Sequence, residues 1–296
     1  MLRRDFLNTS KALGLGALIG PSFVINHLLS KQKLGQIGLQ LYTLRDMLAE
    51  DLLGTLRAIK EVGYDHIESA GYSNSRFYGQ PVKNFKEIID GAGLKMYSGH
   101  CSTGFGGEKS DISMTNKWEQ LCEDAALSGQ KYIVLGYLQE GERKSINDYK
   151  KHAALFNKCG EVAKKYRMKF CYHNHDFEFI KLDGELPYDV LLKETDPELV
   201  SFEMDHYWTN KAGVDGLKII KKNKGRFPLF HLKDMDKTSD TFFAPVGSGS
   251  LDFKKILRSG ENAGLDLVYV EQDAFRDILP MEAVTQSYDY LSKLEF

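Results

Sequence analysis

From residue 37 onward the chain switches repeatedly between two hydrophobic periods. Short runs rich in β-branched and aromatic residues fall at 37–42, 66–69, 95–99, 132–135, 168–173, 200–204, 229–232 and 267–271, and each reads as a buried strand. Between them lie longer stretches with apolar residues three or four apart, at 52–62, 85–92, 114–127, 149–166 and 216–222, the spacing of one helix face. Gly63, Gly93, Gly129, Gly225 and Gly264 fall where a helix must release the chain into the next strand. Such alternation predicts parallel strands joined by helical crossovers, and eight units predict a closed (β/α)8 TIM barrel over residues 35–296. An open doubly wound sheet is disfavoured, because no Gly-x-Gly-x-x-Gly follows the first strand.

Composition fits one such domain: 296 residues, 42% apolar and 27% charged, against about 250 residues for an ordinary barrel. A formal net charge of -2 without a basic stripe argues against a nucleic-acid partner. Cys101, Cys122, Cys159 and Cys171 form no Cys-x-x-Cys pair, so they read as buried small apolar residues rather than a zinc ribbon or redox motif. Residues 1–30 stand apart: Arg3 and Arg4 in Leu-Arg-Arg-Asp-Phe-Leu precede a Gly-rich apolar run too short for a comfortable membrane span. This leader resembles a twin-arginine export signal, which implies a periplasmic or otherwise exported protein. A membrane would then be touched only through this segment, if it stays uncleaved, and an oxidising compartment would permit a disulfide.

Parallel barrels carry their active sites at the C-terminal ends of the strands. Here Gln40, Tyr42 and Arg45 follow the first strand, Glu68 the second and His100 the third. The fifth ends in His173-Asn174-His175-Asp176-Phe177-Glu178, and the sixth runs through Glu203 to Asp205-His206. His231 and Lys233 end the seventh, and Glu271, Gln272 and Asp273 the eighth. Residues two apart share a strand face, so Glu203 with Asp205, His231 with Lys233 and His173 with His175 each point inward together. A lone histidine at a strand end is more often a hydrogen-bonded structural residue. Several ionisable groups aimed at one mouth are costly to bury without a cation. Carboxylate oxygens and imidazole nitrogens without thiolates suit a divalent manganese, cobalt, zinc or magnesium ion. Gln40, Glu68 and His100 are placed to bind hydroxyls, and Tyr42 and Trp208 to stack on a sugar face, although aromatics at strand ends also serve as packing.

Taken together, Tyr-His-Asn-His-Asp-Phe-Glu-Phe at 172–179, Glu-Met-Asp at 203–205, His-Leu-Lys-Asp at 231–234, Pro-Val-Gly-Ser-Gly at 245–249 and Val-Glu-Gln-Asp at 270–273 resemble the sugar phosphate isomerase/epimerase family, the xylose-isomerase-like TIM barrels. The resemblance implies a metal held by a strand-five carboxylate with Asp205, His231 and Glu271. Many members carry Glu at the position of His173, so the fourth ligand is either His173 or, the preferred reading, Glu178 folding back. It also implies a carbohydrate substrate and proton abstraction beside a carbonyl. In that chemistry His175 or His173 acts as base and Glu271 as an acid/base that also touches metal. Lys233 either neutralises the oxyanion or pairs with Asp234 or Asp205. The glycine loop at 245–249 is either a phosphate cradle or a plain turn, and export favours an unphosphorylated sugar or derivative.

The leading expectation is a metal-dependent sugar isomerase or epimerase. Its nearest rival is a lyase of the inosose dehydratase or 3-keto-glycoside-eliminating type, which begins with the same proton transfer. A metal-dependent endonuclease and a non-catalytic sugar-binding protein are more remote, and the pattern leaves the oligomeric state open.

Overall fold

A computed structural model describes residues 32–105, 111–238 and 240–296. The leader expected at 1–30 lies outside the described residues. Eight parallel strands form one closed barrel: β1 (Gly38–Gln40), β2 (His66–Ser69), β3 (Lys95–Cys101), β4 (Tyr132–Leu135), β5 (Lys169–His173), β6 (Val200–Asp205), β7 (Leu229–Leu232) and β8 (Leu267–Val270). Each pairs with its sequence neighbours, and β8 closes onto β1 through Gly38 opposite Tyr269. The (β/α)8 expectation is therefore met.

Alternation along the strands divides two cores. Outward residues such as Leu39, Ile67, Ile133, Phe170, Phe202 and Val268 pack beneath the surrounding helices. Inward residues Tyr132, Val134, Cys171, Leu229, Leu267 and Tyr269 fill the lower part of the barrel, with Tyr97 against them. Gly38 is required there: a Cβ would collide with the His66 imidazole and the Tyr269 ring, which close the barrel around it. Cys122, Cys159 and Cys171 are buried thiols outside any disulfide.

The β2–β3 pairing contains a bulge. Ile67 faces Met96 but Glu68 faces Ser98, so Tyr97 is a surplus residue on β3. Met96 joins the outer core, while Ser98 reaches inward to hydrogen-bond the Glu68 carboxylate.

Element ends moved by a few residues where local chemistry decides. The first strand is shorter than the apolar run because Leu41–Leu44 turns into a 3-10 helix, capped by the Gln40 side chain accepting from the Tyr42 amide. The helix read at 149–166 begins at Ile146, behind a reciprocal cap between Ser145 and Asp148. Helices Pro187–Glu194, Phe253–Arg258 and Pro280–Lys293 complete the layer, two of them started by proline.

Candidate active site

Above the apolar layer the barrel interior becomes ionic, in two tiers. The lower tier joins Gln40, Glu68, His100, Glu203 and His231. The Glu68 carboxylate accepts from Gln40 Nε2 at 2.6 Å, Ser98 Oγ at 2.5 Å and His231 Nε2 at 2.7 Å. Glu203 Oε2 lies 3.2 Å from His231 Nε2 and 3.4 Å from His100 Nε2. Although burial opposes charge, Glu68 and Glu203 raise His100 to about 9, and Glu203, Glu271 and Glu68 hold His231 well above the usual histidine value. Gly136 lets His100 approach, since a Cβ there would strike the imidazole.

The upper tier joins His173, Asp205, Lys233, Glu271 and Asp273. His231 connects the tiers: its Nδ1 lies 2.8 Å from Glu271 Oε2. His173 Nδ1 faces the Gly136 carbonyl at 3.1 Å, which fixes the proton there and leaves the Nε2 lone pair aimed at Asp205 Oδ2, 3.2 Å away. Asp205 is set by its neighbours: Oδ1 caps the short helix His206–Lys211 through the Trp208 amide at 2.9 Å, and Asn174 exchanges hydrogen bonds with its backbone at 3.0 and 3.2 Å. The Lys233 ammonium sits 2.7 Å from Glu271 Oε2, 3.1 Å from Asp205 Oδ2 and 3.0 Å from Asp273 Oδ2. Against the cost of burial, Lys233 holds the Asp205 and Glu271 carboxyls well below the usual range, and these acids with Asp273 hold its own proton firmly.

Two groups of potential ligand atoms result, each with all its atoms within 4.8 Å of one another: Glu68, His100, Glu203 and His231, and above it His173, Asp205, His231 and Glu271. Five buried or nearly buried carboxyl groups, Glu68, Glu203, Asp205, Glu271 and Asp273, outnumber Lys233 even with both raised histidines protonated.

The tiers open into a cavity of about 920 Å3 lined by His100, His173, His175, Lys233, Glu271 and Asp273, with Tyr42, Tyr137, Phe177 and Trp208 among its walls. His175 is half-buried between Phe177 and Trp208, and its Nδ1, itself buried, has no hydrogen-bond partner among the described residues. Burial, then the charges of His173 and Lys233, push it well below the usual histidine value, so it stays neutral.

Of the residues named from the sequence, Asp205, His231, Glu271, His173 and Lys233 converge, and Tyr42, His100, His175 and Trp208 line the cavity. Glu178 is a correction. Its carboxylate accepts from the Tyr172 hydroxyl and, at 2.9 Å, from the His175 amide, so it stands outside both donor groups; burial raises it to about 7. It shapes the turn that presents His175. Gln40 and Glu68 are also corrected: both are fully buried below the cavity and touch partners within the lower tier rather than its space. The glycine loop holds an anion of the chain's own: Asp234 Oδ2 accepts from the Gly247 and Gly249 amides at 2.9 Å each, and Oδ1 from Leu251 at 3.1 Å and Met235 at 2.8 Å. Its donors are spent, and Asp234 is thereby unavailable to Lys233. Glu203 and Asp273 had no assigned role, although each shares parity with a strand-end residue that did. Tyr137 and Arg143 come from loops and Phe177 from the 3-10 turn Phe177–Phe179, segments that carry no periodic signal.

Residues 56–293 match the family described as Xylose isomerase-like TIM barrel. The chain belongs to this family. It is 29% identical over 200 residues to the inosose dehydratase of Clostridium tetani, a match covering 60% of this chain and 66%, just under two thirds, of that relative. The inosose dehydratase of Lacticaseibacillus casei is 26% identical over 274 residues, 78% of this chain and 88% of that one. Among solved structures, a sugar phosphate isomerase/epimerase from Parabacteroides distasonis superposes with a TM-score of 0.77 at 29% identity, covering 88% of this chain and 98% of its own.

Proposed function

We propose that this cavity abstracts a proton beside a carbonyl of a sugar or cyclitol, with a divalent metal held by His173 Nε2, Asp205, His231 and Glu271. The donor set fits such an ion: two imidazoles and two carboxylates, compact to 4.8 Å, one imidazole already oriented by a backbone carbonyl, amid more carboxylates than cations. When bound, a divalent cation supplies Lewis-acid stabilisation of the negative charge that builds on the substrate oxygen. The carrying observation is His175, a neutral imidazole that lines the same cavity as Glu271 and Lys233. It takes the proton, Lys233 adds positive charge near the oxygen, and Asp273 keeps Lys233 in place.

Two outcomes follow from that one step. Return of the proton to the other face or to the neighbouring carbon gives epimerisation or isomerisation, the reading supported by the Parabacteroides distasonis neighbour. Loss of a hydroxyl from the next carbon as water gives dehydration, the reading supported by the inosose dehydratases. Metal-loaded protein incubated in deuterated water with a panel of keto-sugars and inososes distinguishes them: deuterium enters the substrate in either case, and only dehydration lowers product mass by one water. Glu271→Gln abolishes exchange with an unchanged circular dichroism spectrum; a variant that exchanges at the wild-type rate refutes the assignment.

We also propose export through the twin-arginine route, supported by Arg3 and Arg4 before the apolar run. A reporter fused to the first 30 residues is carried out of the cytoplasm, and Arg3→Lys with Arg4→Lys retains it; equal export of both fusions removes the proposal.

A further inference from the structure

The four facing atoms of the lower tier, Glu68 Oε2, His100 Nε2, Glu203 Oε2 and His231 Nε2, alternate carboxylate with imidazole around a closed ring. Its edges measure 3.1 Å from Glu68 to His100, 3.4 Å from His100 to Glu203, 3.2 Å from Glu203 to His231 and 2.7 Å from His231 to Glu68. Ligand bonds of roughly 2.0–2.1 Å in a tetrahedron put donor atoms about 3.3 Å apart. Three edges therefore fit closely as they stand, and only the shortest has to open. The upper group is less regular, since Asp205 Oδ2 lies 3.2 Å from His173 Nε2 but 4.0 Å from His231 Nδ1.

Hydrogen bonds alone serve this ring poorly. Each imidazole Nε2 carries at most one proton yet faces two carboxylate oxygens. Glu68 Oε2 is approached by a third donor, Gln40 Nε2, at 2.6 Å. The Gln40 amide cannot turn its oxygen there instead, because Oε1 accepts from the Tyr42 amide, so its Nε2 confronts His100 Nε2 at 3.2 Å. Glu203 is fully buried, and its Oε1 has no hydrogen-bond partner among the described residues. A cation that takes a lone pair from each of the four atoms relieves all of these mismatches at once.

We infer that the lower tier is a second metal site, which binds a zinc-like divalent ion through Glu68, His100, Glu203 and His231, with the His231 ring bridging it to the ion proposed above. The ion enters in exchange for the Nε2 protons of His100 and His231, so two positive charges leave as two arrive. His100 lines the cavity and is the side of entry. Ser98 Oγ holds the other Glu68 oxygen at 2.5 Å and keeps Oε2 turned to the ring. His231 is common to both groups, whereas Glu203 belongs only to the lower and His173 only to the upper, so either ion can be removed by itself.

Zinc stoichiometry tests the site without turnover. The full chain is stripped with a chelator, refilled with zinc, desalted and assayed by plasma mass spectrometry, with circular dichroism as the check on folding. Wild type holds two zinc ions per chain, and Glu203→Gln and His173→Ala hold one each. Cobalt(II) follows the same counts, and its visible bands, intense in four-coordinate sites, weaken in Glu203→Gln. Should Glu203→Gln fail to fold, His100→Asn takes its place with the same expected loss. One ion in wild type that survives Glu203→Gln and disappears in His173→Ala overturns the inference, as does a second ion that survives Glu203→Gln, or no ion at all. One ion that disappears in Glu203→Gln and survives His173→Ala supports the lower site and strikes the upper one.

Discussion

His231 has both ring nitrogens committed, one toward Glu271 and one toward Glu68. A carboxylate behind an imidazole fixes its tautomer and strengthens it as a donor. Glu68→Gln should therefore weaken zinc binding about 10–100-fold, measured by competition with a chelator; an unchanged affinity would reduce Glu68 to packing. Glu178 illustrates the other limit of residue-level reading. Strand parity aims His173, but it ends there, and the 3-10 turn Phe177–Phe179 carries Glu178 to Tyr172 instead. Its carboxyl titrates at about 7 in the fold against 4.5 unperturbed, because burial favours the neutral form. The neutral carboxyl thus contributes stability that is fully present below pH 4.5 and is lost as pH rises through about 7. Relative to wild type, Glu178→Gln should gain about 2–3 kcal/mol between pH 4.5 and 8, read from urea midpoints. A pH-independent difference would contradict this origin.

At the level of elements, the strands were legible because a buried parallel strand is a continuous apolar run ending in the residue that faces the mouth. That pattern put Asp205, His231 and Glu271 among the residues at the mouth, and the family resemblance then singled them out as a set, which the geometry brings together with His173. Loops obey no such period, and the segment after β7 shows the consequence: Pro-Val-Gly-Ser-Gly looks the same whether it wraps a ligand or a side chain. Here it wraps Asp234, whose carboxylate satisfies four backbone amides. Asp234→Ala should leave those donors unmatched and cost about 2–4 kcal/mol in chemical unfolding. Stability within a few tenths of wild type would show that the loop is held by other contacts.

For the molecule as a whole, the barrel interior stores an excess of carboxylates above an apolar plug, and the closed sheet keeps them at close quarters. A ligand that relieves this repulsion binds the folded chain and not the unfolded one, so zinc or manganese at about 100 times its dissociation constant should add roughly 2.7 kcal/mol. Differential scanning fluorimetry should show the Tm rising with metal and returning with chelator, and an unmoved Tm would argue against the ion. Closure itself was readable from the count of strand and helix units. The aromatic wall was not, since Tyr137, Arg143 and Phe177 meet only once β4 and β5 lie side by side.

The bulge between β2 and β3 decides where His100 looks. Were the two strands paired evenly, Tyr97 would lie beside Glu68, and Ser98 and His100 would swing out among the helices, with the barrel otherwise intact. Removing Tyr97 altogether would leave their aim unchanged, because Tyr97 is the residue that the irregularity absorbs. The aim of Ser98 and His100 thus depends on where the extra residue is absorbed, while the Tyr97 ring itself packs against the barrel plug beside His66.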